Sequence, residues 1–405
     1  MVLELAFILI AILAGVLIGT VTGLLPGIHI NLVSAIILAS LSFFLGLFQP
    51  ITLIIFLVAL AITHTFIDFV PSIFLGAPNE DDTALSILPG HELLLEGKAY
   101  DAVVYTLYGS ISALVIILLF SPIFYFLLPK IYPYAERIMP FILILASCFL
   151  VYFEKSGKIW AVIIFALSGI LGLATLNLPL KEPLLPLFTG LFGISSLLTS
   201  LSKKEGIPEQ RITRIGSIKI KFSSFIKSIS ASAIASPLCS FLPGMGSGQA
   251  AVIGSEVVGK LSRKEFLILL GSINTVVTGL SFVTLYAIGK ARTGVAVAVG
   301  KIAELSLADL IAITLAIVFS GILAFFITLY VAKGFSRVIS KINYQKLSIF
   351  IIVFLTAINF IFSGWLGMLV MAVSAVLGLL CIYSGIRRTH MMGCLIIPAI
   401  MLYIL

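Results

Sequence analysis

Residues 6–31 read AFILIAILAGVLIGTVTGLLPGIHIN, and this stretch decides the kind of molecule. From Ala6 to Leu25 it contains no charged residue. Roughly 17–25 apolar residues cross a bilayer as a helix. The run does not alternate in polarity, as a barrel strand would. Leu25-Pro26-Gly27 then interrupts it. Proline removes a backbone donor and crowds the preceding turn, while glycine lets the chain reverse. Broken backbone in hydrocarbon survives only where it is buried in protein or lines a wet cavity.

The rest of the chain has the same character. Of 405 residues, 60% are hydrophobic and 10% charged, and the mean hydropathy is +1.23. A soluble domain carries about 25% charged residues. Further apolar runs follow at Thr52–Asp68, Ile111–Leu128, Leu310–Ala332 and Leu347–Ser363. The expected fold class is an all-α integral membrane protein, multi-pass in the cytoplasmic membrane with the lipid bilayer as its first partner.

The net charge of +8 fits a membrane protein, because cytoplasmic loops carry excess Lys and Arg. No patch interleaves aromatic and basic residues, so nucleic acid is not an expected partner. Cys148, Cys239, Cys381 and Cys394 lie in apolar surroundings, without metal spacing or a disulfide framework. No metal site and no cofactor are expected. Glu4 stands where a signal peptide would carry basic residues, so the first helix reads as retained.

One polar segment divides the chain. Residues 202–227 hold seven Lys and Arg against Glu205 and Glu209, which makes this a basic cytoplasmic linker. It separates a first transmembrane repeat, 1–201, from a second, 228–405. Basic residues at Lys333–Lys346 and at Arg387-Arg388 belong on the linker's side. Counting crossings places Glu154 and Arg387 on that side, and Glu182 and Gly364 on the other. Both termini then lie outside, and the halves are inverted relative to each other. The second half also repeats the break: Leu242-Pro243-Gly244 follows its first apolar segment, as Leu25-Pro26-Gly27 does in the first. The expected architecture is a helical bundle of two inverted-topology repeats with broken, re-entrant helices, a layout used by secondary transporters.

A helix that restarts after a break presents free N–H groups and the positive end of its dipole. Two such starts suit an anion. The substrate-binding candidates are therefore Pro26, Gly27, His29 and Asn31 in the first half. In the second half they are Pro243, Gly244, Gly246, Ser247, Gly248 and Gln249. Glycines at these places also serve plain helix packing. Ionisable and polar residues inside apolar helices are functional candidates by default. Thr63, His64 and Asp68, with Asn274 and Thr275, are the coupling-ion candidates, for Na⁺ or H⁺. His64 and Asp68 share a face by their spacing. The polar stretch 76–101 reads either as a solvated acidic loop or as a re-entrant turn.

Three stretches carry a family resemblance: Gly19–Ile36 with Gly23-Leu24-Leu25-Pro26-Gly27, Pro71–Ser110 with Pro89-Gly90 and Glu96-Gly97-Lys98-Ala99, and Ser236–Lys260 with Leu242-Pro243-Gly244-Met245-Gly246-Ser247-Gly248. Pro186–Leu201 adds a fourth. In these the chain resembles the large membrane subunit of the tripartite tricarboxylate transporters, the TctA-like permeases, in a divergent archaeal-type form. The resemblance implies a cation-driven secondary carrier of small organic anions, with citrate-like or other carboxylates as the cargo. It also implies two partners, an extracytoplasmic solute-binding protein and a small membrane subunit. A homo-oligomer is compatible with the sequence.

Two other functions compete. Paired helix starts would also suit a polyprenyl-phosphate or other lipid-phosphate headgroup. An intramembrane enzyme is disfavoured, and no catalytic residue is assigned. His91-Glu92 lacks the second histidine of a zinc protease, and no Gly-x-Ser-x-Gly elbow is present.

Overall fold

The computed structural model describes residues 2–404, apart from 26–29, 79–80, 153, 155–156, 204–206, 242–245, 292 and 341–343. The described residues are helical with no strand. The first half runs α1 (Val2–Leu24), α2 (Ile30–Ala39), α3 (Leu41–Leu47), α4 (Pro50–Ile67), α5 (Phe69–Leu75), α6 (Asp81–Leu95), α7 (Ala99–Tyr152), α8 (Lys158–Leu176) and α9 (Leu184–Phe188). A π-helical segment, Thr189–Ile194, joins α9 to α10 (Ser195–Lys203). The second half runs α11 (Phe222–Phe241), α12 (Ser247–Val258), α13 (Arg263–Ile288), α14 (Gly294–Ile302), α15 (Leu307–Ile339), α16 (Tyr344–Ser384) and α17 (Gly393–Ile404).

Among the described residues, seven helices are long and apolar enough to cross a membrane. The protein is an all-α, polytopic membrane protein. Burial sorts the spans into two layers. The α4–α5 unit and α13 are each 94% buried, while α8 is 33% buried. The two central spans thus contact protein on every side, and the outer ones leave apolar faces for lipid.

Local chemistry explains the breaks. Pro71 has no N–H for the Ile67 carbonyl four residues earlier, and α4 stops at Ile67. Gly364 adopts φ 60°, ψ −158°, which divides α16 into two membrane-length pieces. The expected end of a helix at this glycine is borne out. The helical backbone of α7 runs on from Ala99 through Tyr152, but it holds two apolar pieces, the span Ala99–Tyr134 and the shorter Pro140–Tyr152. Pro122, Pro129, Pro133 and Pro140 each remove one bond from α7, while the neighbouring bonds hold the helix together.

The crossing count agrees with the contacts at the helix ends. Arg387 Nε donates to Glu154 Oε2 at 3.2 Å, and Ser363 Oγ donates to the Glu182 carbonyl at 3.3 Å. The residues expected on a common side therefore meet. Gln210 docks the linker on the first half. Gln210 donates to the Leu94 carbonyl at 3.0 Å and accepts from the Ala99 N–H at 3.0 Å, bridging the end of α6 to the start of α7.

Packing is reciprocal between the halves. The α4 helix packs on α15, and α13 packs on α7. Likewise α2 packs on α14 and α12 on α6, while α8 packs on α17 and α16 on the π segment.

The seam between α1 and α4 is made by glycines. A Cβ on Gly15 would stand 2.5 Å from the Phe56 carbonyl oxygen, and one on Gly19 2.5 Å from that of Leu60. The Gly15, Gly19, Gly23 spacing lets two backbones approach within reach of dispersion forces, which hold helices together in lipid. Replacing Gly19 by Leu should lower the melting temperature, because overpacking costs about 1–3 kcal/mol or more. Gly46→Leu is the control, since a Cβ there meets nothing within 4 Å. Equal melting of the two variants would refute the seam.

Candidate functional site

The central spans carry the polar residues that lipid would not tolerate. Asp68 occupies the joint between α4 and α5 and is fully buried. Asn274 lies in α13, 1% exposed. The Asn274 amide donates to Asp68 Oδ2 at 2.9 Å. Beside this contact, the hydroxyls of Thr65 and Thr275 share a hydrogen bond of 3.1 Å. Two helices from opposite halves are thus joined by two adjacent polar contacts in the core. The proline that ends α4 leaves the Ile67 carbonyl without its helical donor, next to the Asp68 carboxylate.

Of the five coupling candidates, Asp68, Asn274 and Thr275 meet at the α4–α13 seam. Thr63 and His64 face α1 instead. His64 Nδ1 shares a 3.0 Å hydrogen bond with the Thr22 hydroxyl, and Thr63 stands opposite Gly19. His64 and Asp68 thus each make a contact with a different neighbouring helix, α1 and α13. Thr63 Oγ1 is buried without a hydrogen-bond partner.

Among the substrate-binding candidates, Pro26, Gly27, His29, Pro243 and Gly244 lie outside the described residues. Asn31 stands in the first turn of α2. Gly246 holds the N-cap position of α12 with extended backbone, and its N–H donates to Gln249 Oε1. Ser247, Gly248 and Gln249 form the buried first turn. Gln249 Nε2, fully buried, has no partner. The start of α12 therefore offers backbone N–H groups and one unspent amide donor in a space closed to bulk water. The helices α2 and α12 make no extended contact with each other, and each packs on an element of the opposite half.

Sequence reasoning passed over the serines of α11. Ser228, Ser232, Ser236 and Ser240 recur every fourth residue and are all fully buried. Ser272 of α13 donates to Ser232 at 2.8 Å, and Ser232 and Ser236 share a 3.1 Å bond. Their i, i+4 spacing was the available signal, since it puts them on one face. Asp82 of the acidic run is also buried more deeply than a solvated loop allows. The run begins α6, with Asp82 fully buried and its Oδ1 accepting from the Thr83 N–H at 2.7 Å.

His91 and Glu92 have structural partners. Glu92 pairs with Arg263 at 3.2 Å. His91 lies in α6, outside the seven candidate spans, and donates to the Ile73 carbonyl. Burial drives its pKa down to about 4. Among the described residues no cluster of His, Cys, Asp and Glu could hold a metal ion.

Residues 9–393 match the tripartite tricarboxylate transporter TctA family. The chain belongs to that family. A full-length relative, the uncharacterized protein MJ1079 of Methanocaldococcus jannaschii, is 33% identical over 413 residues, covering 99% of both chains. No solved structure matches. The stretches that carry the TctA resemblance cover the helix starts α2 and α12 and helix α6, and leave Asp68 and Asn274 outside. Gly19–Ile36 spans the α1–α2 break, Pro71–Ser110 covers α6 and its flanks, and Ser236–Lys260 contains the α11–α12 break and all of α12.

Two outcomes test this TctA core. Asn274→Ala should lower the melting temperature, because a buried carboxylate that loses a donor costs about 1–3 kcal/mol or more. An unchanged melt would show that the 2.9 Å contact contributes nothing. The second concerns pH. Native His91 stays neutral down to about 4, whereas the unfolded ring protonates near 6.5. Its contribution to stability is complete above 6.5 and is lost as pH falls through that window. His91→Gln should flatten this part of the melting profile, and an unaltered slope would assign it to other groups.

Proposed function

We propose that this chain is the permease subunit of a secondary transporter that moves small organic anions, carboxylates above all, by alternating access driven by Na⁺ or H⁺. The observation that carries the reading is the buried Asp68–Asn274 contact between the two central spans. A carboxylate removed from water gains from a nearby cation or from taking up a proton. Either event changes the charge at the seam where the halves meet. Asp68, with the Ile67 carbonyl and the nearby hydroxyls of Thr65 and Thr275, supplies the hard oxygen donors that an alkali cation prefers.

The anion is assigned to the helix starts after the two breaks. Gly246, Ser247, Gly248 and Gln249 supply the described part of this site, and Asn31 stands at the other start. The reciprocal packing supports inverted repeats at 1–201 and 228–405 around the linker 202–227. The linker is assigned to the cytoplasm and both termini to the outside, from the distribution of Lys and Arg. Membership in a tripartite family favours an extracytoplasmic binding protein and a small membrane subunit as partners.

A thermal-shift screen with citrate, succinate, phosphate and a short polyprenyl phosphate, each with and without sodium, tests the reading. A ligand at 100 times its dissociation constant stabilises the native state by about 2.7 kcal/mol. A carboxylate shift should appear and grow with sodium or with acid pH, and Asp68→Asn should remove that growth while leaving some carboxylate shift. Gly246→Leu should remove the carboxylate shift itself. A shift with polyprenyl phosphate alone would assign the chain to lipid-phosphate transport instead.

A further inference from the structure

Arg388 opens the short 3₁₀ turn Arg388–Met392, between α16 and α17. It differs from its neighbour. Arg387 is paired with Glu154 at 3.2 Å and Glu256 at 3.0 Å. Arg388 reaches into the protein, where its Nη1 donates to the Ser196 hydroxyl. Among the described residues no carboxylate stands within ion-pair distance of it. The field of Glu92 reaches it, but Glu92 is already bound to Arg263. Glu154 is likewise held by Arg387 and His390. His91, also close enough to sense Arg388, is neutral. Burial pushes the Arg388 guanidinium down to about 10, which leaves it cationic near neutral pH.

A guanidinium offers five N–H donors in a planar fork that matches a carboxylate in two-point contact. Arg388 spends one on Ser196. A part-buried cation without a counter-ion is unfavourable, and an arriving anion reduces that cost. The setting is built from both halves. Ser196 follows the π segment, and such segments recur at functional sites. Within that segment a Cβ on Gly193 would lie 3.1 Å from the Gly76 carbonyl oxygen, so the turn before α6 packs directly on it. Thr389, the next residue, carries a buried hydroxyl with no partner.

We propose that Arg388 and Ser196 form a second anion subsite, one that receives a carboxylate of a multiply charged substrate. It is separate from the start of α12 and rests on the reading of the chain as an organic-anion carrier. A substrate with two or more carboxylates would gain from it, and a monocarboxylate would not.

Two measurements on the full chain test this. In the first, phenylglyoxal labelling of Arg388 is followed by mass spectrometry with and without citrate or sulfate, with the exposed Arg211 as the internal control. Arg388 should label, and anions should slow its labelling at least tenfold while Arg211 is unaffected. Failure to label, or a rate indifferent to anions, would overturn the subsite. In the second, Arg388→Gln should lower citrate affinity at least tenfold, to the level of acetate, and leave acetate binding unchanged. Arg388→Lys should fall between, because it keeps the charge and loses the fork. Citrate affinity within twofold of the unmodified chain in both variants would also overturn it. If the unmodified chain binds no carboxylate while sulfate still protects Arg388, the carboxylate-carrier reading fails and the anion subsite stands.

Discussion

A polar group inside hydrocarbon has to find its partner within the protein. This constraint shapes the molecule from the backbone outward. It makes the chain helical, since a helix satisfies its own backbone. It also confines every break and every ionisable side chain to places sealed from lipid. The α4–α5 unit, with a proline-made interruption and a carboxylate at the joint, is tolerable because 94% of it is buried. The outer helices can be lipid-facing because they carry few such groups.

Close approach follows from the same constraint. Lipid tails are as apolar as leucine, so helices associate through packing and hydrogen bonds. The halves solve this differently. Glycines bring the α1 backbone against α4, and buried serines join α11 to α13. Between the halves, Gly109 and Gly271 let α7 and α13 touch, since a Cβ on Gly271 would lie 2.1 Å from the Thr106 carbonyl oxygen. The central spans therefore form a tight unit.

The charged groups divide by the same logic. Arg263, Arg387, Glu92 and Glu154 are tied to one another near helix ends, where they fasten α6 to α13 and α7 to the turn before α17. Those pairs hold the architecture. Asp68 and Arg388 stand apart from these pairs, each bonded through a neutral side chain.

The sequence alone determined the membrane class, the ends of α1 and α11 ahead of two of its three Leu-Pro-Gly tripeptides, the turn at Gly364 and the common side of Glu154 and Arg387. Each depends on run length, proline and glycine chemistry or charge counting, which are local properties of the chain. It also marked Asp68 and Asn274 as residues out of place in apolar helices. Only the tertiary structure decided which of the marked residues meet. Thr63, His64 and Asp68 fall within six positions of one helix, yet His64 pairs with Thr22 of α1 and Asp68 with Asn274 of α13. The serine face of α11 and the lone contact of Arg388 were hidden for the same reason. A side chain's partner is chosen by the rotation and crossing of packed helices that stand up to 200 residues apart in sequence, and no periodicity within one helix records what its neighbour presents.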